Sequence, residues 1–411
     1  MAVFVAPVVI LVHTCDFVNF RPRRRAEAVV QNKLCMKTKN SLLFSLNIKS
    51  YKMRNAVWYI LFLPIFLLGC CGVESPNNQI LQLQNELKFG RITHPTADTI
   101  FHLGDTLHIE YASDSIALLD SVVLSVMQRR LTPQPTGQYP TADWEVGVHW
   151  LQVSFWHDGQ EQVERRKLRI LASAPPVDYT YVVEKEYPHD PEAYTQGLLL
   201  RNGYLYESTG QRGASSLRKV EITTGKVVQQ RDLAAQYFGE GLEYLNGKLF
   251  QLTWTGNTCF IYDFATFEPR GSFNYNTQGW GLTTDGTALY LSDGTENIYV
   301  LDSATYRVAR TLQVYTEQGP LYRINELEWV DGRIYANVYT TDLIAIINPS
   351  NGVVEGLVHL EGLLRPSANG IKAEVLNGIA YDPHDKKFYV TGKYWPYLYR
   401  VKFLRKYTQK E

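Results

Sequence analysis

Cysteine is scarce in this sequence, and its spacing serves no obvious structural purpose. The 411 residues contain five cysteines, at positions 15, 35, 70, 71 and 259. No two of them have the Cys-x-x-Cys spacing of a metal or redox site, and their placement offers no disulfide framework. The sequence therefore excludes a disulfide-stapled scaffold and a cysteine-based metal domain.

Net positive charge is confined to the first residues of the chain. Residues 1–54 carry ten Lys and Arg against two Asp and Glu, whereas the rest of the chain carries 31 basic and 39 acidic residues. A protein that binds nucleic acid needs a basic stripe or patch to meet the phosphates. Nucleic acid is therefore excluded as a partner.

A hydrophobic run long enough to span a bilayer comfortably is also missing. The apolar run within MRNAVWYILFLPIFLLGCCG (residues 53–72) follows a short basic start and has the length of a signal-peptide core. Its end, LLGC (residues 67–70), resembles a bacterial lipobox, whose cysteine is lipidated and becomes the mature N-terminus. The resemblance implies a lipid-anchored lipoprotein of the bacterial cell envelope, periplasmic or at the outer membrane, attached to the membrane through Cys70. A buried or anchoring helix is the alternative.

What the chain does contain is apolar residues in short alternating segments. At 45% hydrophobic residues, it can bury a large core and is long enough for two domains. Segments such as DTLHIEYAS and VGVHWLQVSFWHDG, separated by Pro- and Gly-containing turns, indicate a small Ig-like β-sandwich, and the stretch APPV after it indicates a stiff linker. The predicted divisions are an upstream extension or misassigned start at 1–52, a signal peptide at 53–69, a tether at 70–86, the β-sandwich at 87–173 and a second β-domain at 177–405.

The second β-domain is predicted from an internal repeat. Five segments share a polar or aromatic residue, then Gly or Glu, then an aliphatic residue that opens a strand. The residues at the first position of this pattern are separated by 44, 40, 45 and 52 residues, which is the period of four-stranded propeller blades. The repeat therefore predicts an all-β fold with a five-bladed β-propeller, whose last blade takes its fourth strand from residues 179–188. The five segments are TQGLLLRNGYLYEST, GEGLEYLNGKLFQLTW, GWGLTTDGTALYLSD, INELEWVDGRIYANVY and LNGIAYDPHDKKFYVTGKYW.

The first positions of the repeat should form one ring, because the innermost strand of each blade lines the central channel. They are Gln196, Glu240, Trp280, Asn325 and Asn377. The alternative is that these residues only satisfy backbone groups at the strand ends. A buried carboxylate and an indole are costly choices for that purpose.

The repeat segments carry a family resemblance. YPHDPEAYTQGL, FGEGLEYLNGKLFQLTW, GWGLTTDG, INELEW with ANVY, and NGIAYDP with VTGKYWP resemble the plant- and bacterial-type glutaminyl-peptide cyclotransferases. The resemblance covers about residues 182–403. It implies a five-bladed propeller that converts the N-terminal glutamine of peptides or proteins into pyroglutamate and releases ammonia. We further expect a monomer that needs no cofactor. The family's channel residues correspond here to Tyr194, Gln196, Phe238, Glu240, Trp254, Trp280, Asn325, Tyr339 and Lys393.

Two of these positions depart from the family pattern. Tyr194 stands where the family often has Phe, and Tyr339 where it often has Trp. Both changes keep an aromatic side chain and add a hydroxyl group. We expect them to affect substrate preference more than activity.

The implied chemistry suits the charged and polar members of this set. A carboxylate shielded by aromatic rings can shuttle protons, because burial raises its proton affinity, and Glu240 is the candidate. Lys393 and Asn325 can stabilise a developing oxyanion. Each role has its own alternative. Glu240 could instead cap backbone N–H groups, and Lys393 could be a salt-bridge partner of Glu240, with or without a role at the oxyanion. The aromatic residues could equally belong to the core.

No catalytic metal is predicted. Two His-Asp pairs, in PHDPE (residues 188–192) and DPHDK (residues 382–386), are the available ligands, and turn formation accounts for both. Two other functions stay open because fold does not determine function. One is a non-catalytic envelope propeller that acts as a binding scaffold; the other is a different hydrolase or lyase.

If LLGC is a lipobox, replacing its cysteine removes the acceptor for the lipid. Cys70→Ala should then release or mislocalise the protein, whereas the wild type partitions into detergent. Intact-mass measurement of the membrane-extracted wild type should give a lipidated chain that begins at Cys70. An unmodified chain that begins upstream would contradict the assignment.

Overall fold

The computed structural model describes residues 89–113, 119–364 and 372–406, together with two short strands near the start of the chain. These two strands, β1 (Met36–Lys37) and β2 (Leu43–Phe44), pair antiparallel. They belong to a compact unit of their own, Met1–Glu74, and all other described residues belong to a second unit, Ser75–Glu411.

Every regular element in the described residues is a β-strand, which confirms the all-β prediction. Within these residues there is no helix that is long and apolar enough to cross a membrane. The predicted signal peptide, Cys70, the tether and most of the upstream extension lie outside the described residues.

The amino-terminal β-region, residues 89–172, contains one five-stranded sheet, ordered β4-β11-β10-β7-β8, and two two-stranded sheets, β3-β6 and β5-β9. Alternate residues of its strands point inward, because side chains alternate across a strand. Leu151, Val153 and Phe155 of one strand meet Leu168 and Ile170 of the next in one hydrophobic core. The strands are β3 (Arg91–His94), β4 (Thr99–His102), β5 (Thr106–His108), β6 (Glu110–Ala112), β7 (Ser121–Val126), β8 (Arg129–Leu131), β9 (Gln138–Pro140), β10 (Gly147–His157) and β11 (Gln160–Leu171).

The repeat region, residues 177–405, consists of five four-stranded antiparallel units. Each of the five predicted repeat segments contains the first two strands of one unit. The first three units are separate sheets. Their strands are β13 (Thr195–Arg201), β14 (Tyr204–Thr209), β15 (Ser216–Glu221) and β16 (Lys226–Asp232); β17 (Gly239–Leu245), β18 (Lys248–Thr253), β19 (Thr258–Asp263) and β20 (Pro269–Asn274); and β21 (Leu282–Thr284), β22 (Ala288–Ser292), β23 (Asn297–Asp302) and β24 (Val308–Gln313).

The fourth and fifth units form one eight-stranded sheet. The fourth unit is β25 (Ile324–Val330), β26 (Arg333–Val338), β27 (Leu343–Ile347) and β28 (Val354–His359); the fifth is β29 (Leu376–Asp382), β30 (Lys387–Gly392), β31 (Tyr397–Arg405) and β12 (Val177–Pro188). β12 pairs antiparallel with β31, as predicted from residues 179–188. Its first three residues also pair parallel with β28, which the repeat pattern did not predict.

The first strands of the five units neighbour one another in a closed series, β13-β17-β21-β25-β29, with β29 next to β13. They approach so closely that side chains are excluded at the contacts. A Cβ atom on Gly197 would lie 2.4 Å from Leu242 N, and one on Gly281 would lie 2.0 Å from Asn325 O. Such contacts explain why glycine follows the first-position residue in the first three units. In the fifth unit, Gly378 has a positive φ of 120°, a backbone conformation that favours glycine.

Apolar side chains fill the spaces between neighbouring units. The cluster that closes the series joins the first and fifth units through residues that include Leu198, Leu205 and Leu398. Each of these leucines is at most 1% exposed, so each contributes about 1.5–3 kcal/mol from the removal of apolar surface from water.

The amino-terminal β-region is attached to the repeat region by more than the predicted linker. The side-chain amide of Gln313, at the end of β24, makes two hydrogen bonds to the backbone of Val148 in β10. Its Oε1 accepts from Val148 N at 2.9 Å, and its Nε2 donates to Val148 O at 3.0 Å. Val146, Leu171 and Tyr315 form a small shared core beside this contact. The amino-terminal β-region and the repeat region therefore pack against each other within Ser75–Glu411.

Three glutamates other than Glu240 lie on the first strands of the units: Glu243 on β17, and Glu326 and Glu328 on β25. Glu326 accepts hydrogen bonds from Leu198 N and Ile379 N at 3.2 and 2.8 Å, so its carboxylate joins three units. Burial raises the pKa of Glu243 to about 7 and raises the pKa of Glu326 and Glu328 well above the usual value for glutamate.

These carboxyl groups should make stability fall as pH rises. Glu243 keeps its proton in the folded chain up to about pH 7, but loses it near 4.5 when unfolded. Its contribution is therefore present below pH 4.5 and lost as pH rises through 7, at about 1.4 kcal/mol per unit of pKa difference. Glu243→Gln should flatten the pH dependence of the free energy of unfolding, measured in urea between about pH 5 and 8.

Glu268→Gln, at an exposed position, is the matched control and should keep the wild-type pH dependence. An unchanged pH dependence in Glu243→Gln would show that Glu243 is already ionised in the folded protein near pH 5.

Candidate active site

A cavity of about 210 Å³ opens at the end of the repeat region where the first strands begin. The structure brings all nine predicted channel residues together around it, although they come from all five units. The lining residues are Tyr194, Gln196, Phe238, Glu240, Trp254, Trp280, Asn325, Tyr339 and Lys393.

The predicted ring of five first-position residues is formed only in part. Gln196, Glu240, Trp280 and Asn325 line the cavity, whereas Asn377 is fully buried beside Gln196. Its Nδ2 donates to Thr195 O at 3.0 Å and to Gln196 Oε1 at 3.2 Å. Asn377 therefore orients a cavity side chain and is not itself a wall residue.

Glu240 is the acidic group of the cavity. It is 4% exposed, and its Oε1 accepts a hydrogen bond from Gln196 Nε2 at 3.0 Å. Burial raises the pKa of Glu240 well above its ordinary value, and the positive charge of Lys393 opposes that rise. The carboxyl group can therefore hold a proton at a pH where an exposed glutamate cannot.

Lys393 is the basic group, and it lies directly after β30. Its Nζ is 4.7 Å from the ring centre of Tyr194 and 4.8 Å from that of Tyr339, so the ammonium contacts two aromatic rings. Burial lowers the pKa of Lys393, and the negative charges of Glu240 and Glu374 oppose that shift. The attraction between Lys393 and Glu240 acts across the cavity.

Aromatic rings in edge-to-face contact form much of the wall. Phe238 contacts Tyr194 at 5.9 Å and Trp254 at 5.7 Å between ring centres, and Trp280 contacts Tyr339 at 5.4 Å. Such contacts fix the rings relative to one another. The wall is therefore apolar, with only a few polar groups pointing inward.

One amide oxygen orients both indoles of this wall. Gln278 Oε1 accepts from Trp254 Nε1 at 2.6 Å and from Trp280 Nε1 at 3.0 Å. Gln278 was not predicted, because it directly precedes the repeat segment GWGLTTDGTALYLSD and no spacing marks it. Its proximity to Trp280 in the sequence is the only signal that could have found it.

A second carboxylate, beside the cavity, was also not predicted. Burial raises the pKa of Tyr194, and the negative charge of Glu374 and a hydrogen bond from the Tyr194 hydroxyl to Glu374 raise it further. The backbone N of Glu374 donates to Lys393 O at 2.9 Å. The hydroxyl that distinguishes Tyr194 from phenylalanine therefore has a specific partner, which lies outside every repeat motif.

Asn325 presents a free polar atom. The residue is 2% exposed, and in the described part of the chain its Oδ1 has no hydrogen-bond partner. The side-chain amide of asparagine has an oxygen that accepts and a nitrogen that donates. The side chain can therefore offer an acceptor or a donor to a bound molecule.

The two predicted turn histidines differ in the structure. His384 lies in an exposed turn, where its backbone N donates to Asp382 Oδ1 at 2.9 Å, as expected. His189 is only 7% exposed and bonds to Glu207 and Trp395, so turn formation alone does not explain it. The described residues contain no group of three His, Cys, Asp or Glu side chains arranged to hold a metal ion.

The chain is similar to known glutamine cyclotransferases in sequence and in structure. Residues 159–403 match the family model described as glutamine cyclotransferase. The chain is 44% identical over 226 residues to a glutaminyl-peptide cyclotransferase of Arabidopsis thaliana. This match covers 54% of this chain and 70% of the Arabidopsis protein. The crystal structure of Myxococcus xanthus glutaminyl cyclase is similar with a TM-score of 0.54 and 32% identity, over 56% of this chain and 100% of that chain.

Proposed function

The chain belongs to the glutamine cyclotransferase family, and we propose that its nine-residue cavity performs the reaction by metal-independent acid–base chemistry. As a glutaminyl-peptide cyclotransferase, the protein converts N-terminal glutamine to pyroglutamate. The observation that carries the proposal is a buried Glu240, hydrogen-bonded to Gln196 at 3.0 Å and attracted to Lys393, inside an aromatic-walled cavity.

The reaction needs one proton to move within the substrate. The neutral α-amine attacks the γ-carboxamide carbon, and a carbon–nitrogen bond forms while the carbonyl oxygen becomes an oxyanion. Glu240 takes the proton from the attacking nitrogen and then gives it to the amide nitrogen, which leaves as ammonia when its bond to carbon breaks. Because burial raises the pKa of Glu240, this carboxyl group holds the proton more strongly than an exposed glutamate does while the proton passes between the two nitrogens.

Lys393 and Asn325 stabilise the oxyanion. Both are buried, and both lie on the cavity wall with Glu240. A cation and an amide already fixed in a water-poor cavity need little reorganisation when charge develops on the substrate oxygen. The side-chain amide nitrogen of Asn325 can donate to the oxyanion, and its unpartnered Oδ1 can accept from the leaving carboxamide nitrogen.

The aromatic wall binds the glutamine side chain in a folded conformation. Trp254 and Trp280 are held by Gln278, and Phe238 packs between Trp254 and Tyr194. A cavity of about 210 Å³ suits one side chain and its terminal amine better than a long peptide segment. Because the reaction is intramolecular, folding the side chain towards the amine supplies much of the rate.

The same proposal includes the finer architecture. The repeat region is a five-bladed β-propeller, supported by five four-stranded units whose first strands form a closed series. The amino-terminal β-region is an Ig-like sandwich, supported by strands of three sheets that share one core. The protein is a monomer, held at the bacterial cell envelope by a lipid on Cys70 and acting on peptides or proteins with N-terminal glutamine.

Replacing Glu240 tests the mechanism. Glu240→Gln keeps the size of the side chain and removes the proton-carrying carboxyl group. We expect a folded protein whose turnover falls by roughly 10²–10⁴-fold, measured as ammonia released from a glutamine-initiated peptide at near-neutral pH. EDTA should leave the wild-type rate unchanged.

Glu243→Gln is the matched control, because it removes a buried carboxyl group from the same strand outside this cavity. Its turnover should stay near that of the wild type. Near wild-type turnover in a folded Glu240→Gln variant would refute the role of Glu240. Full loss of wild-type activity on chelation would refute the metal-free mechanism.

A further inference from the structure

The buried histidine of the PHDPE segment lies where the two ends of the repeat region meet. His189 comes between β12, the last strand of the fifth unit, and β13, the first strand of the first unit. Its Nε2 is 3.1 Å from Glu207 Oε1 on β14, and its Nδ1 is 2.7 Å from Trp395 O in the turn after β30. One side chain therefore contacts the first and the fifth units at once.

The geometry favours a charged imidazole. The carbonyl of Trp395 and an ionised Glu207 can only accept hydrogen bonds, and each faces a different ring nitrogen of His189. With Glu207 ionised, both nitrogens carry a proton, as they do only in the imidazolium form. The negative charge of Glu207 correspondingly raises the pKa of His189 against the opposing effect of burial, so the two side chains form an ion pair at 7% and 1% exposure.

Other hydrogen bonds make this pair part of a network. Glu207 Oε1 also accepts from Thr195 Oγ1 at 2.7 Å. Arg218 Nη1 on β15 is 2.8 Å from Asp190 Oδ2, and its positive charge helps to lower the pKa of Glu207. The pair is thus fixed from three strands of the first unit and from the segment that precedes β13.

The network lies directly behind the proposed active site. Thr195 stands between the wall residues Tyr194 and Gln196, and Trp395 is two residues after Lys393. Backbone hydrogen bonds at 2.9 Å from His189 N to Pro396 O and at 2.8 Å from Tyr394 N to Ala193 O join the same two segments. These hydrogen bonds therefore set the position of Lys393 relative to Tyr194 and Gln196, the wall residues of the first unit.

We propose that His189 and Glu207 are positioning residues that hold the segment 393–396 against the first unit, so that Lys393 points into the cavity. The inference rests on the proposed role of Lys393 at the oxyanion. Neither member of the pair lines the cavity, so neither touches the substrate. Because the second to fourth units carry most of the aromatic wall, a displaced Lys393 should impair turnover more than substrate binding.

The test is His189→Gln, which keeps a side chain able to hydrogen-bond but removes the positive charge. With a glutamine-initiated peptide, we expect kcat to fall about 10- to 100-fold, the scale of a small misplacement of a reacting group. KM should change less than about threefold. Circular dichroism at the assay temperature must show a folded chain.

A double variant separates positioning from general stability. If His189 acts through Lys393, the variant His189→Gln/Lys393→Met should be hardly slower than Lys393→Met alone. Glu184→Gln is the control, because it breaks ion pairs with Lys387 and Arg400 between strands of the fifth unit without touching the network. It should keep the wild-type kcat.

Glu207→Gln carries the same test if His189→Gln does not fold, since its amide oxygen still accepts from Thr195 and His189. A folded variant with wild-type kcat would overturn the positioning role, as would kcat losses that multiply fully in the double variant. These outcomes presuppose an active wild type. A wild type without ammonia release, or a fully active Lys393→Met, would instead overturn the proposed function.

Discussion

The close approach of five strands around the start of the repeat units is the constraint on which the rest of the structure depends. Gly241 N donates to Trp280 O at 2.7 Å, so neighbouring first strands meet backbone to backbone. Such contacts leave no room for a Cβ atom at Gly197 or Gly281. The residue before each glycine is thereby placed at the start of its strand, which is why Gln196, Glu240 and Trp280 face one cavity.

Burial then determines the chemistry of the groups brought together there. Removing a carboxylate and an ammonium from water shifts both towards their neutral forms, and their mutual attraction opposes the shift. Glu240 has a raised pKa and Lys393 a lowered one for this reason. The aromatic wall both excludes water and contacts the ammonium, so the same residues that shape the cavity also adjust the proton affinities within it.

The repeat pattern was sufficient to predict the strands, the five units and the pairing of β12 with β31, because strand alternation and turn residues are local properties. The repeat spacing identified Trp280, and the family resemblance supplied the other aromatic wall residues. Sequence patterns could not show that Asn377 lies beside Gln196, that Gln278 holds two indoles, or that His189 pairs with Glu207. These contacts depend on how distant segments pack, and the contact between His189 and Trp395 joins residues 206 positions apart.

The protonation state of Glu240 is the most direct measure of whether this cavity can perform acid–base chemistry. Infrared difference spectra between the wild type and Glu240→Gln, recorded across a pH titration, isolate the carboxyl band of this side chain. The band should persist well above pH 4.5, the ordinary value for glutamate, and Lys393→Met should move its midpoint higher still. A carboxyl group that is fully ionised at about pH 5, or that does not respond to the loss of Lys393, would contradict the role of Glu240 as the proton carrier.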